Sequence, residues 1–454
     1  MNPKHLTTLE FPKVLARLAG YTSFSAGREL ALALTPATGL PEIRRRLEMT
    51  SEARALLAAK PDVTIGGARD VRPLVVAAGR GMALPPTDLL NVRDTLVAAR
   101  ALHRSLSRLE NRFPRLAHLA SRIQPCPEII EEINGCLNER GEVRDDASPE
   151  LARIRRELRI AHDRIHEKLQ NIIAAPQNAA YLQEAFITQR DGRYVIPLKT
   201  DFKGRIRGVV HDVSASGATV FVEPLSVVEL NNAWRELQIE EEQEIHRILL
   251  RLSGLIAGRA AEIEQTVEAL GELDLAFAKA QYAEALRAVA PNLAPLRPTA
   301  SPHPGSTLRL IGARHPLLDP QTVVPIDVVL DDETHVLVIT GPNTGGKTVS
   351  LKTVGLLALM AQAGLHIPAE AGSALSPFEA IYADIGDEQS IEQSLSTFSA
   401  HLTNILSFLD RANERSLVLL DELGAGTDPA EGAALARALL EHFRRRRATC
   451  FVAT

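Results

Sequence analysis

The sequence predicts a multidomain protein, mainly α with α/β. It reads as a helical core, long paired helices carrying a small β-rich insert, and a C-terminal α/β domain of the P-loop class. Three observations predict it. Ala, Leu, Arg and Glu are abundant while aromatic residues make up only 4% of the chain, a bias that favours long helices over a β-rich body. A long stretch of helical periodicity is interrupted once by period-two segments and turn dipeptides. The run Gly341-Pro342-Asn343-Thr344-Gly345-Gly346-Lys347-Thr348 follows a short apolar segment and precedes another helical pattern. At 454 residues the chain exceeds one ordinary domain, and roughly two to four are expected.

Residues 1–147 read as the helical core, where Leu9, Phe11, Val14, Leu15 and Leu18 mark one apolar face. Ser148 then offers an N-cap and Pro149 a first helical turn. Leu151, Ile154, Leu158, Ala161 and Ile165 recur at spacings of three and four, so 148–178 is a long amphipathic helix. In 179–227 the period becomes two. Arg193-Tyr194-Val195-Ile196-Pro197, Gly208-Val209-Val210 and Ala218-Thr219-Val220-Phe221-Val222 are separated by Asp191-Gly192, Lys203-Gly204 and Ser216-Gly217, the spacing of short hairpins. Helical periodicity resumes over 228–290 through Trp234, Leu237, Ile245, Ile248 and Leu252, with Trp234 on the apolar stripe. The Pro-rich stretch 291–304 reads as a linker, and 305–454 as the nucleotide domain.

In that domain Val336 to Thr340 reads as a buried strand and Val349 to Leu365 as a helix. Strand, Gly-rich loop and helix are the setting in which the Gly341–Thr348 pattern becomes a phosphate site. The glycines let backbone N–H groups converge on phosphate oxygens, and the helix N-terminus adds partial positive charge. Lys347 would reach the β- and γ-phosphates and the Thr348 hydroxyl would hold Mg²⁺, so ATP and Mg²⁺ are the expected cofactors. Leu417-Val418-Leu419-Leu420 is a second buried-strand run, ending in Asp421-Glu422. There Asp421 would hold the metal through water and Glu422 would act as general base. Taken alone, Asp384 to Gln389 is an acidic loop and Ser394 to Phe398 an N-cap cluster. Ala448 to Thr454 reads as a further buried strand, so the sequence looks truncated inside its nucleotide domain.

A net charge of −5 leaves any nucleic-acid contact to local patches. Lys199, Lys203, Arg205 and Arg207 alternate with apolar residues, and strand period could put several on one face. Arg444 to Arg447 reads as a solvated helix end, and His211, His315 and His401 as structural, since none has metal-ligand spacing. Cys126, Cys136 and Cys450 read as reduced structural thiols of a cytoplasmic protein. No apolar run approaches the ~20 residues that span a bilayer, and no membrane partner is expected.

The string GPNTGGKTVSLKTVGLLALMAQAGLHIPA, with SLSTFSAHLTNI and LVLLDELGAGTDPAEGAALA, resembles the MutS ATPases, most closely their second bacterial branch, MutS-two. The likeness extends upstream through TLEFPKVLARLAGYTSFSAGRELAL and VIPLKTDFKGRIRGVVHDVSASGATVFVEPLSVVELNN. The resemblance implies an ABC-type ATPase domain, lever helices at 148–178 and 228–290, and a clamp at 179–227. It implies a homodimer in which Ser396 reaches the partner's γ-phosphate, and a loop at Asp384 to Gln389 that couples nucleotide state to the levers. A sensor histidine is expected just beyond Thr454, and any endonuclease activity mainly in a further C-terminal region. The clamp resemblance favours phosphate contact by the basic positions. Two targets are compatible with it: branched DNA, with suppression of homologous recombination, or stalled or collided ribosomes (rRNA), with subunit splitting. A structural coiled coil with a vestigial ATPase is disfavoured by the intact Asp421-Glu422 pair. Phe221-Val222-Glu223 spells the Phe-x-Glu mismatch wedge, but strand alternation already explains Phe221, and mismatch repair is not expected.

Overall fold

The structure is a computed structural model that describes residues 1–297, 303–331, 333–342, 345–386, 397–425 and 427–454, with the backbone alone for 397 and 398. Its contacts resolve into two compact units. One comprises Met1–Asp70, Ala98–Gln124 and Gln265–Thr454, and the other Val71–Val97 and Pro125–Glu264. These units cut across the segments marked by sequence pattern, because the segment read as one helical core, 1–147, is shared between them. No helix among the described residues is long and apolar enough to cross a membrane.

In the second unit, helix Pro149–Ala174 begins as its sequence predicts. The Ser148 hydroxyl accepts from Leu151 N at 3.0 Å, and Leu151, Ile154, Ile165, Leu169 and Ile173 form the buried stripe. It packs beside helix Leu225–Gly258, and Arg155 bonds Glu241 across the pair at 2.7 Å. Between them lie strands β1 (Thr188–Arg190), β2 (Arg193–Lys199), β3 (Gly208–Val213) and β4 (Thr219–Pro224), in the antiparallel order β1-β2-β4-β3. A run of simple hairpins would pair β2 with β3. Instead the apolar β2 and β4 take the centre, while β3, exposed and bulged between Val210 and Asp212, takes the edge. Trp234 lies in this unit's core with Ile196, Leu198, Val220 and Val222. Glu223 is 1% exposed and accepts from Arg193, Asn231 and His211 at 2.8, 2.8 and 2.6 Å, taking His211 as the donor. Phe221 is also buried, under the Arg190 guanidinium. Neither end of the Phe-x-Glu tripeptide is presented as a wedge.

The first unit holds two further sheets. Strands β5 (Asn292–Leu293), β6 (Leu308–Ala313), β7 (Ile326–Leu330) and β9 (Ala374–Leu375) form a mixed sheet in the order β5-β9-β6-β7. Thus β5 lies inside the Pro-rich stretch read as a linker, held by pairing with β9. Strands β8 (Val336–Ile339), β10 (Ala380–Asp384), β11 (Ser416–Leu420) and β12 (Thr449–Ala453) form a parallel sheet ordered β10-β11-β12-β8.

Period two on β11 sorts its side chains to two cores. Leu417 and Leu419 join helix Lys347–Gln362 and the N-terminal residues Leu9, Phe11, Val14, Leu15 and Leu18. Val418 and Leu420 join Phe408 and Phe443, from helices Thr397–Leu409 and Pro429–Arg445. A Cβ on Gly355 would stand 2.6 Å from Leu419 and 2.8 Å from Leu9, so glycine is what lets the helix lie this close. The far end of that helix is bolted down. Gln362 Nε2 donates to Ala37 O and Phe378 O at 2.7 and 2.8 Å, Thr50 Oγ1 to Gly364 O at 2.6 Å, and Lys279 Nζ to Ala363 O at 3.0 Å. Arg444 and Arg445 pair with Glu441, as a solvated helix end should, but Arg446 and Arg447 donate to the carbonyls of Ala412 and His303.

Burial pulls the Lys279 ammonium down to about 7, against about 10.4 in an unfolded chain. Between these values the unfolded chain binds a proton that the folded chain does not, so the lysine's contribution to stability rises with pH. The stability difference between the native protein and Lys279→Met should therefore shift toward the native protein from pH 7 to pH 10, by up to about 1.4 kcal/mol per unit. Urea unfolding at pH 7 and 9.5 tests this; a pH-independent difference would show that Lys279 is charged in the fold.

Candidate nucleotide site

The site forms at the C-terminal ends of the parallel strands, where open α/β sheets place ligands. Gly346 caps helix Lys347–Gln362 in the left-handed region (φ 79°), a turn that a side chain would strain. The following Lys347 is 7% exposed, and its ammonium donates to the main-chain oxygens of Gly341 and Thr454, the latter at 2.9 Å. A buried ammonium with acceptors at the loop entry and at the end of β12 is a cation aimed at the loop. Gly341, Pro342, Gly345, Gly346, Lys347 and Thr348 all belong to this turn. Asn343 and Thr344 lie outside the described residues.

Thr348 Oγ1 donates to Asp421 Oδ2 at 2.6 Å. The loop residue and the strand-end acid, 73 positions apart, therefore meet. A hydroxyl and a carboxylate side by side are hard oxygen donors, the type that holds Mg²⁺ with few protein ligands and completes its shell with water and phosphate. Among the described residues no cluster of three or more His, Cys, Asp or Glu could hold a metal by protein ligands alone. The donor set fits Mg²⁺ shared with a polyphosphate.

Asp421 is 6% exposed, and its N–H donates to Asp384 O at 2.8 Å. Glu422 is exposed and stands in the left-handed region at φ 51°, its N–H donating to Asp421 Oδ1 at 3.1 Å. This conformation is uncommon for any residue but Gly, Asn or Asp, and such strain gathers where a side chain must be aimed. Together Thr348, Asp421, Glu422, Gly386 and His401 line a cleft of about 120 Å³.

His401, which its spacing reads as structural, stands on the cleft wall, with Nδ1 2.9 Å from Asp384 Oδ2. Helical spacing could not reveal this, because Asp384 is supplied by the neighbouring strand. The structural reading does fit His211, bonded to Glu223, and His315, which burial holds down to about 4 and whose Nδ1 accepts from Leu317 N at 3.3 Å. Cys126, Cys136 and Cys450 are free and buried; burial pushes the Cys450 thiol up to about 12.

Ser396 and Asp387 to Gln389 lie outside the described residues. The four basic candidates are not on one strand face. Lys199 ends β2, its ammonium donating to Ala180 O at 3.3 Å, whereas Lys203, Arg205 and Arg207 are exposed on the connection from β2 to β3. Gly204 (φ 93°) and a 3₁₀ turn at Thr200–Phe202 break the strand there. The alternation that suggested a strand face is therefore a loop.

Residues 337–454 match the family described as MutS domain V. Over 441 residues the chain is 53% identical to a protein named Endonuclease MutS2 from Thermomicrobium roseum, covering 96% of this chain and 55% of that protein. Proteins of the same name from Pelotomaculum thermopropionicum and Symbiobacterium thermophilum are 49% and 47% identical over 97% and 100% of this chain, and 55% and 56% of their own lengths. The chain thus spans little more than half the length of these relatives.

If the turn at Glu422 is strained, Glu422→Gly should stabilise the fold by about 0.5–1 kcal/mol. Chemical denaturation reads this as a higher midpoint at unchanged slope. A lower midpoint would mean that the glutamate side chain contributes more than the backbone costs.

Proposed function

The chain belongs to the MutS2 family, and from that premise we propose that it is an ATP-hydrolysing clamp on nucleic acid, with branched DNA as its target. The contact of Thr348 with Asp421 at 2.6 Å carries the ATPase part of this reading, because it joins the phosphate loop to the acid pair. In this mechanism the Gly341–Thr348 turn and the helix N-terminus take the phosphates, and Lys347 turns from main-chain oxygens to the β- and γ-phosphates. Thr348 and Asp421 hold Mg²⁺, which supplies charge neutralisation on the phosphates. Glu422 orients and deprotonates the attacking water. Ser396 completes the site of a second subunit in a homodimer.

The helices over 148–178 and 228–290 act as levers and 179–227 as the clamp, driven by the different affinities of open and closed arms for the two nucleotide states. The exposed Lys203, Arg205 and Arg207 suit the clamp to phosphate backbones, which such contacts hold without reading sequence. The relatives' printed name denotes strand cleavage; for this chain we assign the described cleft to ATP hydrolysis.

Glu422→Gln should keep MgATP binding while lowering turnover at least ~100-fold, the usual share of a general base. With turnover stopped, the variant should remain on four-way junction DNA in the presence of ATP. Cell extract treated with DNase supplies the contrary arm. Sedimentation with ribosomes after DNase, without junction retention, would replace branched DNA by the ribosome as target.

A further inference from the structure

The first unit contains a second cavity, at the opposite end of helix Lys347–Gln362 from the phosphate turn. It measures about 200 Å³, and helices Leu40–Ala59 and Ala260–Ala285 supply most of its wall. That is room for far more than one water. Two of its lining residues hold the end of the phosphate-turn helix: Thr50 Oγ1 donates to Gly364 O and Lys279 Nζ to Ala363 O. The rest of the wall combines charge with apolar surface from Leu34, Met49 and Leu275. Nothing in the ATPase mechanism uses it.

The charges on this wall do not balance. The Glu42 carboxylate accepts from Arg45 Nε and Nη2 at 2.8 and 2.9 Å and from Arg46 Nε at 2.7 Å, so one acid serves two guanidiniums. The other lining acid, Glu272, is taken by Arg122 at 2.6 Å. Arg46 Nη1 donates to Thr35 O, which leaves Arg46 Nη2 without an acceptor among the described residues. Lys279 is 7% exposed and makes one hydrogen bond there, to Ala363 O at 3.0 Å, with no carboxylate paired to it. A lysine head has three donor positions, so two are unused. An excess guanidinium charge and a buried amine with spare donors share one cavity, and an anion is the partner both lack. Burial draws the amine down to about 7, and Arg46 and Arg45 push the same way against Glu42. An anion entering beside it would favour the charged form instead.

We propose that this cavity is a binding site for a small carboxylate, its oxygens held by Lys279 and Arg46 and its short carbon chain lying against Leu34, Met49 and Leu275. The apolar surface favours a carboxylate with a hydrocarbon tail over inorganic phosphate, which has no apolar part to cover. Binding takes a proton from solution, because the neutral amine becomes the ammonium that pairs with the carboxylate. The competing role is purely structural: Lys279 would only hold Ala363, and the cavity would be filled by water. A structural lysine takes up no proton when a carboxylate is added, and this separates the two.

Butyrate is the probe, titrated into the chain at pH 8 by calorimetry in Tris and in imidazole, two cationic buffers of different ionisation enthalpy. The native protein should bind it saturably, with uptake of nearly one proton per butyrate. Butanol, which keeps the chain and lacks the charge, should bind at least tenfold more weakly, and so should inorganic phosphate. Lys279→Met should weaken butyrate at least tenfold and abolish the proton uptake. Absence of saturable butyrate binding would overturn the proposal, as would equal binding of butanol or phosphate. Butyrate binding unchanged in Lys279→Met, or accompanied by no proton uptake in the native protein, would overturn it too. Should Lys279→Met fail to fold, the proton uptake and the butanol and phosphate comparisons on the native protein decide alone.

Discussion

Helix Lys347–Gln362 is the element on which the nucleotide unit depends. Its N-terminus forms the phosphate turn, its middle crosses β11 at a glycine, and its C-terminal end is held by Gln362, Thr50 and Lys279. Most of its residues are buried, which requires apolar partners all round. The sheet supplies them on one side and the N-terminal helices on the other. A helix so enclosed cannot shift at its loop end without disturbing the core, because close-packed interiors transmit displacement. The first twenty residues of the chain are therefore part of the wall of the nucleotide domain. Helix Pro3–Thr8 also covers the edge strand β10, with His5 Nδ1 3.2 Å from Ala383 O.

The chemistry is set on the same frame. Parallel strands end together, so Asp384, Asp421 and Thr454 come level with the turn before Lys347. Backbone bonding from Asp421 N to Asp384 O joins two of these ends, and the Thr348 hydroxyl joins the helix to the second. Among the described non-glycine residues that line the cleft, Glu422 alone has a positive φ. The parallel sheet thus carries a strained turn at its ligand-facing end.

Much of this was legible in the sequence because its signals are local. The phosphate turn, the strand before it, the helix after it and the acid pair each show within a few residues. So do the Ser148 cap and the turns at Asp191-Gly192 and Ser216-Gly217, where Asp191, Gly192 and Gly217 have positive φ. What escaped is long-range. Period two marks β2, β3 and β4 as strands without saying that β4 separates the other two, and it turned the exposed loop of Lys203, Arg205 and Arg207 into a strand face. An apolar face on Phe11–Ala19 shows that something covers it, but not that the cover is the helix after the phosphate turn. The contact of His401 with Asp384 is of the same kind: the two belong to different elements, and no spacing within one helix announces it.

The central claim is that the phosphate turn and the N-terminal helices form one body through helix Lys347–Gln362. Amide hydrogen exchange of the chain with and without Mg·ATPγS tests it most directly. The account predicts added protection at Gly345 to Thr348 and at Asp421 and Glu422, extending to Phe11–Ala19 and to the amides around Ala37 and Gly364. Protection confined to the turn and the acid pair, with the N-terminal helices exchanging as before, would contradict it.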